Sequence, residues 1–347
     1  MRIIITGGAG FIGSRLIGYL VEDLHHSVLN IDKLTYACNL QSLANIPAGN
    51  RYQFIQADIC DQQAMTEIVE SFQPDVVMHL AAESHVDRSI AGPEVFLRTN
   101  VMGTFALLEA ASAYFASLDS RSRQSFKFVH VSTDEVFGDV VKCQEACVEE
   151  TPYAPNSPYA ASKASSDLLA RAWHRTYGLP VVITNCSNNC GPHQSVDKLI
   201  PVIITKALTG REIPIYGDGL QIRDWLFVDD HVRALTLVAS DGRPGQTYNI
   251  GGQNQITNLE VAHSICELLE SCAPDKPKGA KRYSDLIRFV KDRPGHDRRY
   301  AIDCSKIRNE LGWVARESFD SGLEKTVRWY IDSSEWWVTT HEPETRK

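Results

Sequence analysis

Short apolar runs separated by stretches of helical period set the frame of this chain. Arg2-Ile-Ile-Ile-Thr6 has the branched, apolar character of a buried parallel strand. Ser27-Val-Leu-Asn-Ile31, Phe54-Ile-Gln-Ala-Asp58, Val76-Val-Met-His-Leu80, Phe126-Lys-Phe-Val-His-Val131 and Leu179-Pro-Val-Val-Ile-Thr184 repeat that pattern. Helical spacing around residues 62–71, 99–117 and 159–177 alternates with them, and the polar Arg121–Gln124 stretch reads as a turn. This alternation predicts a Rossmann-type, doubly wound α/β domain with a parallel sheet over residues 1–185.

The rest of the chain is less regular. Residues 196–209 predict a helix, Ile213–Tyr216 a short strand, Gly217-Asp-Gly219 a turn, 228–239 a helix and Gln246–Ile250 a strand. The last of these, within residues 224–256, are expected to return to the first domain. Leu259–Leu269 and Ser321–Tyr330 predict amphipathic helices, with Pro274–Gly279 a polar linker between them. Residues 186–223 and 257–347 are therefore expected to form a smaller, mixed substrate-binding domain.

The first strand runs into Gly7-Gly-Ala-Gly10-Phe-Ile-Gly13 and then the apolar positions Leu16, Ile17 and Leu20. In such a strand–turn–helix, Gly7 permits the turn, Gly10 lets backbone approach a pyrophosphate and Gly13 lets helix and sheet pack closely. Glycines alone would suit a bare turn. The second strand, however, ends at Asp32, where a carboxylate accepts both ribose hydroxyls of an adenosine and repels a 2′-phosphate. NAD is expected over NADP.

With 347 residues, 43% of them hydrophobic, the chain can bury a full core and a second lobe. It has no apolar run of membrane-spanning length, so no membrane partner is expected, and its first residues read as a strand rather than a leader, so a cytoplasmic protein is expected. A net charge of −8 without a basic block argues against nucleic acid. The nine cysteines are scattered, which fits reduced structural thiols. Cys186, Cys190 and His193 come nearest to a metal set but lack a fourth ligand, so no metal is expected.

Chemistry concentrates in two places. Tyr159 and Lys163 lie four apart on a predicted helix and share a face, so the ammonium is expected to lower the phenol toward neutrality and make it a base for an alcohol losing hydride. The spacing alone would suit a surface pair; its place after a Pro-containing loop, downstream of the nucleotide fingerprint, favours chemistry. Thr133, Asp134 and Glu135 follow the Val129-His-Val131 strand, at the end where open α/β sheets bind ligands. Thr133 is expected to donate to a sugar oxygen, Asp134 to protonate a departing hydroxyl and Glu135 to remove a carbon-bound proton beside a ketone. The bland reading is a turn cap with two solvated acids.

With these residues the chain resembles the extended short-chain dehydrogenase/reductase superfamily, most closely its dTDP-glucose 4,6-dehydratases, over essentially its whole length. The superfamily elements are Thr6–Gly13, Asp32, Asp58-Ile59, Leu80-Ala-Ala82, Asn100 and Tyr159 with Lys163; Ser132-Thr-Asp-Glu135 is the dehydratase element. The resemblance implies NAD held by Gly7, Gly10, Phe11, Ile12, Gly13, Asp32, Lys33, Asp58, Ile59, Leu80, Ala81, Ala82, Thr99, Tyr159 and Lys163. It implies dTDP-glucose as substrate, held by Ser84, His85 and Asp87 near the hexose and by Asn188, Lys198, Leu199, Arg223, Asn258, Arg293 and His296 at the nucleotide and diphosphate. Pro214, Ile215 and Tyr216 would pack on the thymine. UDP- or CDP-glucose, a UDP-sugar 4-epimerase and a non-catalytic NAD-binding scaffold remain alternatives. Cys38, Phe137, Cys190 and His193 depart from the common pattern. The resemblance also implies a homodimer through residues 100–117 and 159–177; Phe105, Leu108, Ala111 and Phe115 form an apolar stripe, and Leu168, Ala172 and small neighbours allow close approach, the alternative being a monomer in which each helix spends its apolar face on its own sheet.

Overall fold

The computed structural model describes residues 1–46, 49, 51–140, 145–277 and 279–339; Cys143 and Lys278 lie outside that set. Strands β1 (Arg2–Thr6), β2 (Ser27–Asp32), β3 (Tyr52–Gln56), β4 (Val76–His79), β5 (Lys127–Thr133) and β6 (Val181–Cys186) lie in the amino-terminal half. Strands β7 (Asn188–Cys190), β8 (Ile213–Tyr216), β9 (Ile222–Phe227), β10 (Thr247–Ile250), β11 (Gln255–Thr257) and β12 (Ile287–Val290) follow. Seven of them form one sheet in the order β10-β6-β5-β4-β1-β2-β3, every neighbouring pair parallel. It is the expected doubly wound sheet.

Two apolar layers explain why most of its strands read as unbroken apolar runs. Ile3 and Ile5 point to one face, with Leu16 and Leu235 from the helices Phe11–Gly18 and Val228–Asp241. Ile4 points to the other, with Val69, Leu107 and Trp173 from Gln62–Phe72, Thr104–Ser117 and Pro158–Tyr177. Both sides of each central strand are thus covered. A third apolar cluster, with Ile203, Trp225, Val261 and Tyr330, supports a smaller unit in which β9 pairs with β7 in parallel and with β11 antiparallel, while β8 pairs with β12.

Several local expectations shift. β3 begins and ends two residues earlier than its apolar run, because it is an edge strand paired from Val28↔Tyr52 to Asp32↔Gln56; Asp58 falls in the turn beyond it. Arg121–Gln124 is part of a short helix, Ser120–Ser125, because Asp119 Oδ1 caps it, accepting from Arg121 N (2.8 Å) and Ser122 N (2.9 Å). The segment before Thr104 is a π-helical turn, Leu97–Gly103. β5 runs through Thr133, which pairs with Cys186, so the Thr133–Glu135 triplet begins on the strand instead of after it. Of the predicted dimer stripe, Leu108 and Ala111 are fully buried in their own chain, whereas Leu168 is 56% exposed.

Candidate active site

A cavity of about 340 Å³ opens where the carboxyl ends of the central strands meet the smaller unit. Its cofactor side is built by the glycine turn. Gly7 has φ +76°, and a Cβ there would stand 2.6 Å from Ala81 N; one on Gly13 would stand 2.3 Å from Gly7 O. Gly10 precedes the Phe11–Gly18 helix and offers no side-chain cap, so the first amides of that helix remain free for an anion. Phe11, Ile12, Ile59, Leu80, Ala81, Ala82 and Thr99 line the same wall.

Asp32 ends β2 with one backbone bond to each oxygen, Ala9 N to Oδ2 (3.0 Å) and Leu34 N to Oδ1 (2.8 Å). Each oxygen keeps a lone pair for a ribose hydroxyl, so the residues fit an adenosine dinucleotide. Lys33 Nζ donates to Thr99 Oγ1 (3.2 Å) and pairs with Asp58 Oδ2 (3.7 Å). Asp58 thus orients Lys33, while its neighbours Ala57 and Ile59 supply the wall.

A further part of the lining brings Thr133, Asp134, Glu135, Tyr159 and Lys163 together. Thr133 closes β5 and caps the 3₁₀ turn Asp134–Phe137, accepting from Glu135 N (3.3 Å). Asp134 is buried, and its Oδ2 has no hydrogen-bond partner. Burial, reinforced by the Glu135 and Asp224 carboxylates and opposed by Arg223 and Thr133, holds its carboxyl well above the usual range and so favours the protonated form. Burial also raises Glu135, but Arg293, Arg223 and Lys198 oppose that rise. The two neighbouring acids are therefore placed in unlike electrostatic surroundings.

Tyr159 corrects an expectation. Burial, with Glu135 and Cys186 adding to it, pushes the phenol well up instead of toward neutrality. Lys163 shares its helix face, yet its ammonium donates sideways to Val131 O (2.8 Å) at the strand end. Burial lowers Lys163, and Asp167 and Cys186 oppose that loss.

On the sugar side, Ser84, Asn188, Lys198 and Leu199 reach the cavity wall, with Lys198 Nζ donating to Ser84 O (2.9 Å). His85 Nε2 sits 3.5 Å from Asp197. Asp87 accepts from Tyr216 OH (3.0 Å) and lies 3.6 Å from Arg293 Nη1. His296 Nδ1 is 2.6 Å from Asp292 Oδ1, and Asn258 opens a helix with its Oδ1 buried and unpartnered. Alternation along β8 turns Ile215 into the core, so only Pro214 and Tyr216 present side chains outward.

Arg223 is buried, donates to Ile222 O (2.8 Å) and Asp297 O (2.9 Å), and lies over the Tyr300 ring at 4.2 Å. It is a counter-charge behind Glu135 more than an outward clamp. Tyr300 was not anticipated; its hydroxyl stands 3.4 Å from Glu135 Oε2 and 2.8 Å from Asp297 Oδ2. It lies only four residues beyond His296, in the same stretch as that residue and Arg293. Among the departing residues, Cys38 donates to Thr35 O (2.7 Å), Phe137 packs edge-on against Tyr153, Cys190 is buried, and His193 lies 4.5 Å from the Trp329 ring. Among the described residues no group of three or more His, Cys, Asp or Glu is arranged to hold a metal.

A doubly wound sheet that joins a dinucleotide fingerprint, a Tyr-x-x-x-Lys pair and two buried acids at one cavity defines an enzyme of the extended short-chain dehydrogenase/reductase class. A family model described as GDP-mannose 4,6 dehydratase matches residues 4–326. The chain belongs to the dTDP-glucose 4,6-dehydratase family within that class. It is 56% identical over 336 residues to the dTDP-glucose 4,6-dehydratase of Neisseria meningitidis serogroup B, covering 97% of this chain and 95% of that one. The structure of the dTDP-glucose 4,6-dehydratase DesIV from Streptomyces venezuelae with NAD and TYD bound superposes with a TM-score of 0.88 at 44% identity, covering 98% and 100% of the two chains. That of the Bacillus anthracis enzyme in complex with NAD gives 0.85 at 42% identity, covering 98% and 99%.

Proposed function

We propose that this protein converts dTDP-glucose to dTDP-4-keto-6-deoxyglucose and water, with NAD held against the glycine turn, Asp32, Tyr159 and Lys163. NAD, when bound, supplies a hydride acceptor at C4 and returns that hydride to C6 in the same turnover. Thr133 orients the sugar at the strand end, and Tyr159 takes the C4 hydroxyl proton as the alcohol becomes a ketone. The Lys163 ammonium, on the same helix face, favours the phenolate against the burial that raises it, and a bound cationic nicotinamide would add to that. The new ketone acidifies C5-H; Glu135 removes that proton while Asp134 gives its proton to the leaving C6 hydroxyl. The proton held by Glu135 then returns to C5, and the proton taken by Tyr159 makes good, by way of solvent, the one given up by Asp134, so the enzyme is restored and the net loss is one water.

The observation that carries this reading is the adjacent pair Asp134 and Glu135, one a buried carboxyl whose neutral form burial favours and the other faced by three cations. A 4-epimerase needs no such acid and base. Incubation with dTDP-glucose should yield a product that develops enone absorbance in alkali, with no net reduced nicotinamide; absence of product with every nucleotide-glucose would reject the assignment. Relatives named for dTDP-glucose support thymidine over uridine or cytidine, and parallel turnover of dTDP-, UDP- and CDP-glucose tests it. The product would supply rhamnose or another deoxysugar.

Assembly as a cytoplasmic homodimer belongs to the same reading. Exposed Leu97, Met102 and Leu168 beside the paired helices support it. No helix among the described residues is long and apolar enough to cross a membrane. Light scattering should give twice the 38.7 kDa chain mass.

A further inference from the structure

One buried carboxylate beneath the site takes no part in the steps above. Asp167 lies on the Pro158–Tyr177 helix one turn after Lys163 and two after Tyr159, on their face, and is fully buried without lining the cavity. Its Oδ2 accepts from Ser132 Oγ (2.9 Å), Tyr153 OH (2.9 Å) and Asn185 Nδ2 (3.3 Å). Its Oδ1 stands 3.1 Å from His130 Nε2. Asn185 also donates to Thr133 O (3.1 Å), and Lys163 donates to the intervening Val131 O. The helix carrying Tyr159 and Lys163 is thereby tied to four consecutive residues of β5, from His130 to Thr133, immediately before the two acids.

Burying a carboxylate is costly unless it is bonded and faced by a cation. Here the carboxylate has three neutral donors, and the cation that faces it is Lys163. The other titratable groups coupled to Lys163 are Cys186 at the end of β6, His79 on β4 and His130 on β5. Burial keeps the Cys186 thiol neutral, its pKa pushed up to about 12, and lowers both imidazoles toward the neutral form. Burial likewise raises Asp167, but His130, Lys163 and Ser132 outweigh it and hold it below the usual range. The charge on Asp167 is thus what balances the ammonium.

We infer that Asp167 is the positioning residue of this active site, its carboxylate fixing the Tyr159–Lys163 helix to the strand that presents Thr133–Glu135 and supplying the counter-charge beneath the Lys163 ammonium. This rests on the roles proposed above for Tyr159 and Lys163. Without the charge, the buried ammonium loses its proton at lower pH; without the bonds, the phenol and the acids lose their register.

The test is single-turnover reduction of the enzyme-bound nicotinamide by dTDP-glucose across pH, comparing wild type with Asp167→Asn, Asp167→Glu, Tyr153→Phe and Tyr159→Phe. Asp167→Asn is expected to slow C4 oxidation by about 10²-fold and to move the alkaline limb of the profile to lower pH. Tyr153→Phe, which keeps the charge and removes one bond, should slow oxidation less and leave the limb in place. Asp167→Glu should keep the limb at its wild-type pH, and it carries the test if the Asn variant does not fold; a displaced limb in the Glu variant would overturn the inference. If Tyr159→Phe is inactive while Asp167→Asn keeps the wild-type rate and limb, the inference alone falls. If Tyr159→Phe oxidises normally, the reading of the Tyr–Lys pair falls instead.

Discussion

The carboxyl end of β5 and the outer wall around β8 and β12 handle charge in opposite ways. At β5, Asp134, Glu135, Lys163 and Asp167 are withdrawn from water, and burial is the largest influence on each of them. At the outer wall, charges meet in solvent; Arg298–Asp218 at 2.7 Å has side chains 43% and 53% exposed. Exposed pairs of that kind contribute roughly 0–1 kcal/mol. Buried charges without partners cost several times more, so the inner set must be fixed in number and position. On the function proposed above, the inner region would set protonation states and hence turnover, while the outer region would recruit and orient an anionic substrate.

Substitutions should separate the two regions. The largest effect is expected for Tyr159→Phe, where loss of the base should reduce C4 oxidation by roughly 10²–10⁴-fold, read as nicotinamide reduction in a single turnover. Asp134→Asn should depress overall turnover by about 10²-fold or more while partial oxidation at C4 survives, leaving reduced nicotinamide on the enzyme. Arg293→Ala, which removes both an outer-wall cation and one of the three that face Glu135, should raise KM for dTDP-glucose roughly 10-fold, the scale of one charge-assisted hydrogen bond at about 1.5–3 kcal/mol, and also lower kcat as Glu135 becomes harder to ionise. A kcat loss without a KM change there would erase the distinction between the regions.

The smallest effect concerns stability. Because burial raises the Asp134 carboxyl in the fold, its favourable contribution is present at low pH and is lost as pH rises above the usual carboxyl range, where the unfolded chain ionises freely. Asp134→Asn should therefore raise the melting temperature at neutral pH, on the order of 1–2 °C for about 1 kcal/mol in a chain of this length, while abolishing most activity. Scanning calorimetry of wild type and Asp134→Asn at two pH values checks the sign: the gain from Asn should shrink toward acid.

The same contrast explains what could be read in the chain. Residues of the parallel sheet announce themselves because both faces of each central strand are covered, as Ile3, Ile4 and Ile5 show. The glycine turn and Asp32 follow from that sheet at fixed offsets, and so does Thr133–Glu135. Asp167 and Asn185 were not read as functional, since their meaning comes from bonds across 35 and 18 residues to Ser132 and to each other. Tyr300 faces Glu135 across 165 residues, a juxtaposition no local pattern encodes. Tyr159 was read with the wrong sign because helical spacing gives a face shared with Lys163 but not the burial, nor the nearby Glu135, that raise the phenol.

The central claim is that Glu135 removes the C5 proton only after C4 is oxidised. Glu135→Gln turned over once with dTDP-glucose in heavy water tests it most directly, by following nicotinamide reduction and deuterium at C5 together. The account predicts reduced nicotinamide that forms and persists, with almost no deuterium entering C5. Rapid incorporation of C5 deuterium with normal release of the 4-keto-6-deoxy product would contradict it.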